Sequence, residues 1–371
     1  MTGKFRASIG MVAVVAAWLQ IGSVFAGYSG LVAFGDSLTD QGNTISYLPP
    51  EIWMDETGYD LNYYNAAYNS YGIAAEGRWS SGPTWIEYLN GRLLSIGAST
   101  NPVPLGENYG RNLVETDYGP GTNFAFGGST TGSGHKNFVI SNLQQQIADF
   151  LYLTQDSQSA LYNYDMGGAL FSVWSGGNDA IDWVEGERSA PIEDASTTAA
   201  LNIQTAIVTL YEAGARNFLM LNLPDLGQKP NYRGTQNGID ATAFVHSYND
   251  KLADVVLTLE STYADISITF FDAYATFNLL LEDPGAYGFT NIHESAYVFL
   301  GSTHDPTSEI VENPEEYIFW DSTHPTTQVH ELLGRFAYEA LPIPEPAVVV
   351  LLALGLGVFV SARRRNSFRS V

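Results

Sequence analysis

The sequence predicts an α/β protein of three layers, with a parallel β-sheet between two layers of helices. Short apolar segments of strand length alternate along the chain with longer segments whose apolar residues recur at helical spacing. Polar, glycine-containing turns follow several of the strand-like segments, as they do at the carboxyl edge of a parallel sheet. The 371 residues, 45% of them hydrophobic, are enough for one large domain with a full core.

The predicted elements follow this alternation in chain order. The strands are residues 31–34, 169–174, 217–223 and 266–271, and the helices are residues 84–94, 139–153, 197–213 and 241–259. Pro83 precedes the first helix, and Gly214 follows the third at the position that glycine favours beyond a helix C-terminus. Residues 44–82 and 284–318 are predicted to be loop-rich insertions above the strand ends.

Charge and cysteine content exclude several kinds of function. The formal net charge is −24, and six of the 16 basic residues lie in the two end segments. A body this acidic is not expected to bind nucleic acid through its phosphates. The chain has no cysteine, so it has no disulfide, thiol nucleophile or thiolate metal site.

The N-terminal segment predicts export. Lys4 and Arg6 precede an apolar run, and Val24-Phe25-Ala26 resembles the small-residue cleavage site of a secretory signal peptide. We therefore assign residues 1–26 to a signal peptide and begin the mature domain at residue 27. An uncleaved membrane anchor is the alternative interpretation.

The C-terminal segment, residues 342–371, has a different pattern. Pro344-Glu345-Pro346 breaks any preceding helix, residues 347–362 carry no charge, and Arg363-Arg364-Arg365 follows. An apolar helix closed by arginines predicts a membrane segment with its basic end in the cytoplasm, although 16 residues are short of the usual ~20. The order resembles the PEP-CTERM sorting tail of Gram-negative bacteria. That resemblance implies transient membrane insertion, processing by an exosortase and delivery to the cell surface or extracellular matrix; a plain anchor is the alternative.

Four polar turns stand at matching places in the remaining domain, residues 27–341. The first, residues 34–43, contains Ser37 directly after the first predicted strand. The others are residues 121–130, 175–179 and 317–326. Because the carboxyl ends of parallel strands meet at one edge of a sheet, we expect the later turns to lie near Ser37.

These blocks, in this order, resemble the GDSL (SGNH) hydrolase family in its secreted lipase and esterase branch. Further matching stretches are residues 211–217, 223–227, 271–273 and 284–291, so the resemblance covers nearly the whole domain. It implies the SGNH hydrolase fold, a three-layer α/β/α architecture with a flavodoxin-like sheet. It also implies a serine esterase or lipase.

Ester hydrolysis by this chemistry needs a nucleophile and a base that takes its proton. Ser37 is the candidate nucleophile, by its place at the strand end and by the family resemblance. His324 is the candidate base, because imidazole titrates near neutrality and can both accept and return a proton. Asp321, three residues earlier, is placed to orient the ring. The alternative for Asp321 is a helix N-cap for the segment that begins at Pro325.

The candidate oxyanion donors are the backbone N–H groups of Ser37 and Gly128 and the side-chain amide of Asn178. Gly127 is an alternative to Gly128, since the two glycines are adjacent. We predict that Asn123, Asp40 and Asp179 hold turns rather than take part in the chemistry. The other histidines lack metal-ligand spacing and are predicted to be surface or packed side chains: His135, His246, His293, His304 and His330. The sequence implies no cofactor and no metal.

The motifs predict the reaction class better than the substrate. Aromatic residues within 44–82, such as Trp53 and Trp79, could line an acyl or a sugar site. A lipid or acyl ester is the first hypothesis, and an O-acetylated surface or extracellular polysaccharide is the second. A matrix protein on a catalytically silent hydrolase scaffold is a further alternative, which predicts a broken set of catalytic residues.

Overall fold

The structure is a computed structural model that describes residues 27–44, 78–95, 121–136, 140–186, 188, 190–299 and 308–342. The predicted signal peptide lies outside the described residues, as do all but the first residue of the tail and most of the insertion at 44–82. The strands are β1 (Leu31–Gly35), β2 (His135–Lys136), β3 (Ile140–Ser141), β4 (Leu170–Trp174), β5 (Asn217–Leu221), β6 (Ser267–Phe271), β7 (Asn291–Ser295), β8 (Tyr297–Phe299), β9 (Ser308–Ile310) and β10 (Tyr317–Phe319). The helices are α1 (Trp85–Ser95), α2 (Leu143–Gln155), α3 (Gly177–Glu185), α4 (Ile192–Glu212), α5 (Gln236–Thr262), α6 (Ala273–Glu282) and α7 (Thr327–Ala340).

The central sheet is parallel, with the strand order β1-β4-β5-β6. On the free side of β1, the segment 122–126 runs parallel and bridges Ala33 through Asn123. The Ala33 N–H donates to the carbonyl oxygen of Thr122, and the Phe124 N–H donates to that of Ala33. With this segment as the second strand, the order becomes the flavodoxin-like 2-1-3-4-5.

The strands at the centre of the sheet are buried on both faces. All residues of β1 and β4 are buried, and the two strands pair in register from Leu31 with Leu170 to Gly35 with Trp174. Continuous apolar runs of this kind are typical of parallel sheets with helices on both faces. Helices α2, α3, α4 and α5 contact one another in one layer, and α1 packs on α7 in the other. The predicted three-layer α/β/α fold is confirmed.

The helix that contacts the centre of the sheet begins later than predicted. In place of one helix over 139–153, the chain forms the short strand β3, and α2 starts at Leu143. Asn142 is extended, its Oδ1 accepts from the Thr130 N–H, and its Nδ2 donates to the carbonyl oxygen of Ser133. Its side chain therefore holds the turn at 130–133, and the chain enters the helix only after it. The helix was predicted to start at residue 139 because apolar residues continue there at helical spacing. That spacing does not indicate the contact of Asn142 with the turn at 130–133.

Two other helices extend beyond their predicted bounds. Helix α4 starts directly after Pro191, with Glu193 and Asp194 in its first turn, where carboxylates favour the helix dipole. Helix α5 starts after Thr235, whose side chain accepts from the Gly238 N–H. Both predictions started too late because they followed the apolar residues rather than the polar first turns.

The insertion at 284–318 contains more regular structure than predicted. Strand β7 pairs in parallel with β10, and β8 pairs with β9 in antiparallel. Among the described residues, no helix is both long enough and apolar enough to span a membrane. The predicted membrane segment 347–362 lies outside the described residues.

Candidate active site

The candidate residues converge at the carboxyl edge of the sheet, where three of them follow strands or strand-like segments that end there and His324 approaches from the separate pair of β7 and β10. Ser37 follows β1, Gly128 follows the segment 122–126, and Asn178 follows β4 at the start of α3. His324 lies in the turn between β10 and α7. All four line one cavity of about 370 Å³.

The turn that carries Ser37 is held from both sides. Gln146 on α2 is buried; its Oε1 accepts from the Gly35 N–H at 2.9 Å, and its Nε2 donates to the Gly35 carbonyl at 2.8 Å. The Asp36 carboxylate accepts from the Leu38 N–H at 3.1 Å. The end of β1 is thus fixed, and the half-buried Ser37 hydroxyl faces the cavity.

A chain of hydrogen bonds connects Ser37, His324 and Asp321. Ser37 Oγ lies 3.0 Å from His324 Nε2, and His324 Nδ1 lies 2.8 Å from Asp321 Oδ2. A carboxylate can only accept, so Nδ1 carries the proton and Nε2 is left to accept from the serine hydroxyl. The histidine and the aspartate are buried at 5% and 3% exposure. The three side chains form the arrangement that activates a serine by general-base chemistry.

Asp321 is stabilised as an anion. Its Oδ1 also accepts from the backbone N–H groups of Thr323 and His324, at 2.8 and 2.7 Å. Burial by itself would raise its pKa, but His324 and these backbone donors outweigh burial and hold the pKa of Asp321 below its usual value. Helix α7 begins at Thr327 after Thr326, so Asp321 is not its N-cap. The alternative interpretation of Asp321 is therefore wrong.

Backbone contacts distinguish the two adjacent glycines. The Gly127 N–H donates to Asp40 Oδ2 at 2.9 Å and to Thr44 Oγ1 at 2.7 Å, so it is already engaged. The N–H of Gly128 forms no hydrogen bond with any of the described residues. Gly128 also has a φ of +81°, which a side chain would strain. The geometry favours Gly128 over Gly127 as a donor toward the cavity.

Asn178 has one amide hydrogen in use. Its Nδ2 donates to the Ser129 carbonyl at 3.0 Å, which fixes the amide plane beside the glycine turn. An amide nitrogen carries two hydrogens, so the second one is free to donate to a substrate oxygen. The backbone N–H of Ser37 is likewise unpaired among the described residues.

The three residues predicted to hold turns do so. Asp40 accepts from the backbone N–H groups of Gly42, Asn43 and Thr44 as well as from Gly127. Asn123 Nδ2 donates to the Thr39 carbonyl, and Asp179 accepts from the backbone and hydroxyl of Thr131. The contacts of Asp40 and Asn123 join the turn after β1 to the segment 122–127, and that of Asp179 joins α3 to Thr131, so that Ser37, Gly128 and Asn178 lie around one cavity.

Of the remaining histidines that the structure describes, His135 is half-buried in β2, and the others lie on the surface or in the core. His246 is exposed and His293 is exposed, whereas His330 is buried with its Nδ1 accepting from the Trp85 N–H. Burial lowers the pKa of His330 to about 3. His304 lies outside the described residues. Within the described part of the chain, no cluster of three or more His, Asp or Glu side chains could hold a metal ion.

The sequence patterns assign no specific role to three further residues of the cavity, which are Trp79, Asp36 and Lys229. Trp79, one of the aromatic residues of the insertion, packs against His324, with ring centroids 5.4 Å apart and ring planes inclined by 43°. Asp36 lines the cavity beside Ser37, and burial raises its pKa to about 7. Lys229 enters from the turn after β5. The sequence does contain a signal for Lys229, which is a charged residue in a turn at a strand end. It contains no signal for the role of Gln146, because its partner Gly35 is 111 positions away.

Three of the relatives among known proteins have the same identity to this chain. The chain is 26% identical to a GDSL esterase/lipase of Arabidopsis thaliana, over 83% of this chain and 86% of the relative. It is 26% identical to the thermolabile hemolysin of Vibrio parahaemolyticus, over 84% of this chain and 63% of the relative. It is also 26% identical to the phosphatidylcholine-sterol acyltransferase of Aeromonas hydrophila, over 88% of this chain and 93% of the relative.

Among solved structures, an acetylxylan esterase from Geobacillus stearothermophilus aligns with a TM-score of 0.39 and 12% identity, over 85% of this chain and 96% of that one. The family model described as GDSL-like lipase/acylhydrolase matches residues 31–336. That match includes every strand of the central sheet and each of the candidate residues described above. Because the model covers most of the 371 residues, the chain belongs to the GDSL-like lipase/acylhydrolase family and is a hydrolase that acts on ester bonds.

Proposed function

We propose that this protein is an exported serine esterase or lipase that hydrolyses carboxylic esters through an acyl-enzyme on Ser37. The observation that carries the proposal is the 3.0 Å contact between Ser37 Oγ and His324 Nε2, with Asp321 bonded to the other ring nitrogen, at the wall of the cavity. Because these three catalytic side chains are all present and bonded to one another, they argue against the alternative of a catalytically silent matrix protein.

The reaction begins when Ser37 Oγ attacks the carbonyl carbon of the ester and His324 Nε2 takes the hydroxyl proton. Asp321 stabilises the imidazolium that forms and keeps the ring in the required orientation. His324 then gives the proton to the departing alcohol oxygen, and Ser37 is left as an acyl ester. Water, deprotonated by the same nitrogen, attacks the acyl group and releases the carboxylic acid and the free serine.

The negative charge on the tetrahedral oxygen needs donors that are in place before the reaction. We assign this role to the backbone N–H groups of Ser37 and Gly128 and to the Nδ2 of Asn178. The free state of the two backbone groups and the second amide hydrogen of Asn178 support the assignment. Gly127 is assigned a supporting role, because its N–H is bonded to Asp40 and Thr44.

A lipid or acyl ester is the substrate class that we propose first. The cavity beside Ser37 is lined in large part by apolar side chains, among them Ile140, Ile181, Leu226 and Phe277. Apolar lining of this kind suits an acyl chain or another apolar group. The names of two relatives, a hemolysin and a phosphatidylcholine-sterol acyltransferase, agree with this class. An O-acetylated polysaccharide is the second candidate, motivated by the resemblance of the tail to a surface-sorting signal.

Export and sorting are proposals that rest on the two end segments. We propose that residues 1–26 are removed as a signal peptide. We further propose that residues 342–371 act as a PEP-CTERM tail, which inserts through 347–362 and is processed by an exosortase at the cell surface. The C-terminus of the mature surface protein, mapped by mass spectrometry, tests the tail; a mature protein intact through Val371 contradicts processing.

A direct test of the chemistry uses purified protein with p-nitrophenyl esters of increasing acyl length and with acetylated xylan. We expect hydrolysis by the wild type and a loss of turnover in Ser37→Ala, because the variant has no hydroxyl for the acyl-enzyme. Mass spectrometry after rapid quenching should find the acyl group on the peptide that contains Ser37. Activity unchanged in Ser37→Ala contradicts the mechanism.

The length series also separates the two substrate classes. A rise of kcat/KM with acyl length supports a lipid or long acyl ester, whereas release of acetate from xylan without hydrolysis of longer esters supports the polysaccharide.

A further inference from the structure

Two lysines line the cavity, and they differ in their partners. Lys136 Nζ lies 2.7 Å from Asp182 Oδ1 and is neutralised by it. Lys229 has no carboxylate within salt-bridge distance among the described residues, although it is only 3% exposed. Its ammonium group instead lies 3.8 Å from the centroid of the Tyr232 ring.

The acidic groups near Lys229 are held by other donors. The hydroxyl of Tyr232 donates to Glu185 Oε1 at 2.6 Å, and Asp321 is occupied by His324. Burial lowers the pKa of Lys229 to about 8, against the charges of Glu185 and Asp321, which raise it. At neutral pH the side chain is therefore mostly cationic, and it lacks the bonded anion that a buried charge normally has.

Local hydrogen bonds fix the backbone at Lys229, and burial against the Tyr232 ring restricts its side chain before any ligand binds. The short helix Leu226–Gln228 is capped by Asp225, whose Oδ1 accepts from the Gly227 N–H and from the hydroxyl of Thr242. The Lys229 carbonyl accepts from the N–H groups of two later residues, Tyr232 and Arg233. A cation positioned in advance loses little entropy when an anion binds to it.

The sheet order places this turn beside the ester site. Lys229 follows β5, which neighbours β4 and its Asn178, and β4 neighbours β1 and its Ser37. A substrate that lies along the carboxyl edge, with its carbonyl at Ser37, extends past Asn178 toward Lys229.

We propose that Lys229 is an anion-binding residue of the substrate cavity, and that the enzyme favours esters which carry a carboxylate or phosphate group near the scissile bond. The inference rests on the proposed function, since it assigns the specificity of the same site. The anion neutralises a buried ammonium group that has no carboxylate within salt-bridge distance among the described residues, and its oxygens accept hydrogen bonds from Nζ.

Two pairs of esters, matched except for charge, test the proposal. In the first pair the anion is on the acyl part. Mono-p-nitrophenyl adipate is compared with methyl p-nitrophenyl adipate, in which the free carboxylate is methylated. In the second it is on the alcohol part: hexanoyl-glycerophosphate, compared with monohexanoylglycerol. Each substrate is measured with the wild type, Lys229→Met, Lys229→Arg and Lys251→Met. Lys251 is a surface lysine paired with Glu193 at 2.6 Å and serves as the matched control.

We expect Lys229→Met to lower kcat/KM for the charged member of at least one pair by about tenfold to a hundredfold, mainly through KM, with little effect on the neutral member. The pair that responds assigns the anion to the acyl or the alcohol part. Lys229→Arg should keep most of the preference, and Lys251→Met should behave as the wild type. Equal losses on charged and neutral esters, or no loss on either charged ester, overturn the proposal and leave Lys229 as a packing residue on Tyr232.

A binding measurement separates this inference from the proposed reaction. Calorimetric titration of the Ser37→Ala protein with adipate and with glycerol phosphate should detect binding of one of these two anions. Adding Lys229→Met to the same protein should abolish that binding. If the wild type hydrolyses no ester, the reaction is wrong, yet Lys229-dependent binding still supports the anion site. The absence of such binding overturns it. Removal of a buried cation should not lower the melting temperature; if Lys229→Met fails to fold, Lys229→Gln replaces it.

Discussion

At the residue scale, the site depends on a few side chains whose second hydrogen-bonding group is left for a substrate. Asn178 is the clearest case, because one amide hydrogen is fixed on Ser129 and the other remains. His324 differs, because both of its ring nitrogens are engaged, one by Asp321 and the other by the Ser37 hydroxyl that it activates. Each group is oriented by the contact it already has, which is what pre-organised catalysis requires.

Asn178→Ala should lower kcat by about 10²–10³ with little change in KM, because the lost donor acts chiefly on the transition-state oxygen. Steady-state kinetics on a p-nitrophenyl ester measures the effect. Asn217→Ala is the control: its amide bonds the carbonyls of Gly167 and Ala169 at the opposite end of the sheet, and kcat should not change. A KM increase with an unaltered kcat would show that Asn178 binds the ground state instead.

Asp36→Asn should stabilise the protein at alkaline pH. Burial raises the pKa of Asp36 to about 7 from 3.8, with a further rise from Asp179, against lowering by the Leu38 N–H and His324. Between these two pH values the folded protein holds a proton that the unfolded chain has released, so stability falls as the pH rises through about 7. Asparagine is never charged, and its Oδ1 can still accept from the Leu38 N–H.

Urea unfolding should therefore find Asp36→Asn about 4 kcal/mol more stable than the wild type at pH 8, and nearly equal to it at about pH 4. Asp254→Asn makes the same change at an exposed position and should differ from the wild type by less than about 0.5 kcal/mol at both pH values. A stability gain for Asp36→Asn that does not vary with pH would contradict a buried, titrating carboxyl.

At the element scale, the contact between α1 and α7 sets the position of the turn that carries His324. The two helices meet at Gly334, where an added Cβ would lie 2.5 Å from the Trp85 carbonyl oxygen and 2.7 Å from Tyr88 Cβ. Buried His330 on α7 accepts from the Trp85 N–H in the same interface. Because α7 starts three residues after His324, a displacement of α7 is transmitted to the ring.

Gly334→Ala should destabilise the protein by about 1–3 kcal/mol and lower kcat, since backbone atoms must move to admit the methyl group. Thermal melts and ester kinetics measure the two effects. Gly91→Ala is the matched control on α1, with nothing within 4 Å of its added Cβ. It should stabilise the protein by about 0.5–1 kcal/mol through helix propensity and leave kcat unchanged. Equal melting temperatures for the two variants would contradict the close approach of the helices.

At the scale of the whole molecule, the described core is contained within the proposed domain. One hydrophobic cluster runs from Leu31 in the first strand to Leu341 after the last helix, and it includes residues of every strand of the central sheet. The family match, residues 31–336, has nearly the same limits.

A protein of residues 27–341 should therefore fold by itself. We expect a single cooperative melt and a kcat/KM for p-nitrophenyl esters equal to that of the full chain, because the core and the site lie within these limits. Circular dichroism and kinetics on the purified fragment measure both. A fragment that is inactive or aggregates, beside an active full chain, would contradict the domain boundaries.

Much of the fold could be predicted from the sequence because it depends on local patterns. The buried strands β1, β4, β5 and β6 are continuous apolar runs, and the alternation with helices identifies a parallel sheet. The positions of Ser37, Asn178 and His324 after strand-like segments are local as well, and the ordered blocks around them carry the family. Helix starts were less predictable, since α4 and α5 begin in polar turns and Asn142 delays α2 by a contact with another segment.

By itself, then, the sequence determined the α/β class, the family and the residues proposed for the reaction, because each is a matter of residue type and order along the chain. Only the tertiary structure decided which glycine keeps a free N–H, since Gly127 is bonded to Asp40, 87 positions away. It also decided that Asp321 holds His324 rather than capping α7, and that Lys229 is buried with no carboxylate partner in the part of the chain that the structure describes. These outcomes depend on contacts between segments that are far apart along the chain. No local sequence pattern indicates such contacts.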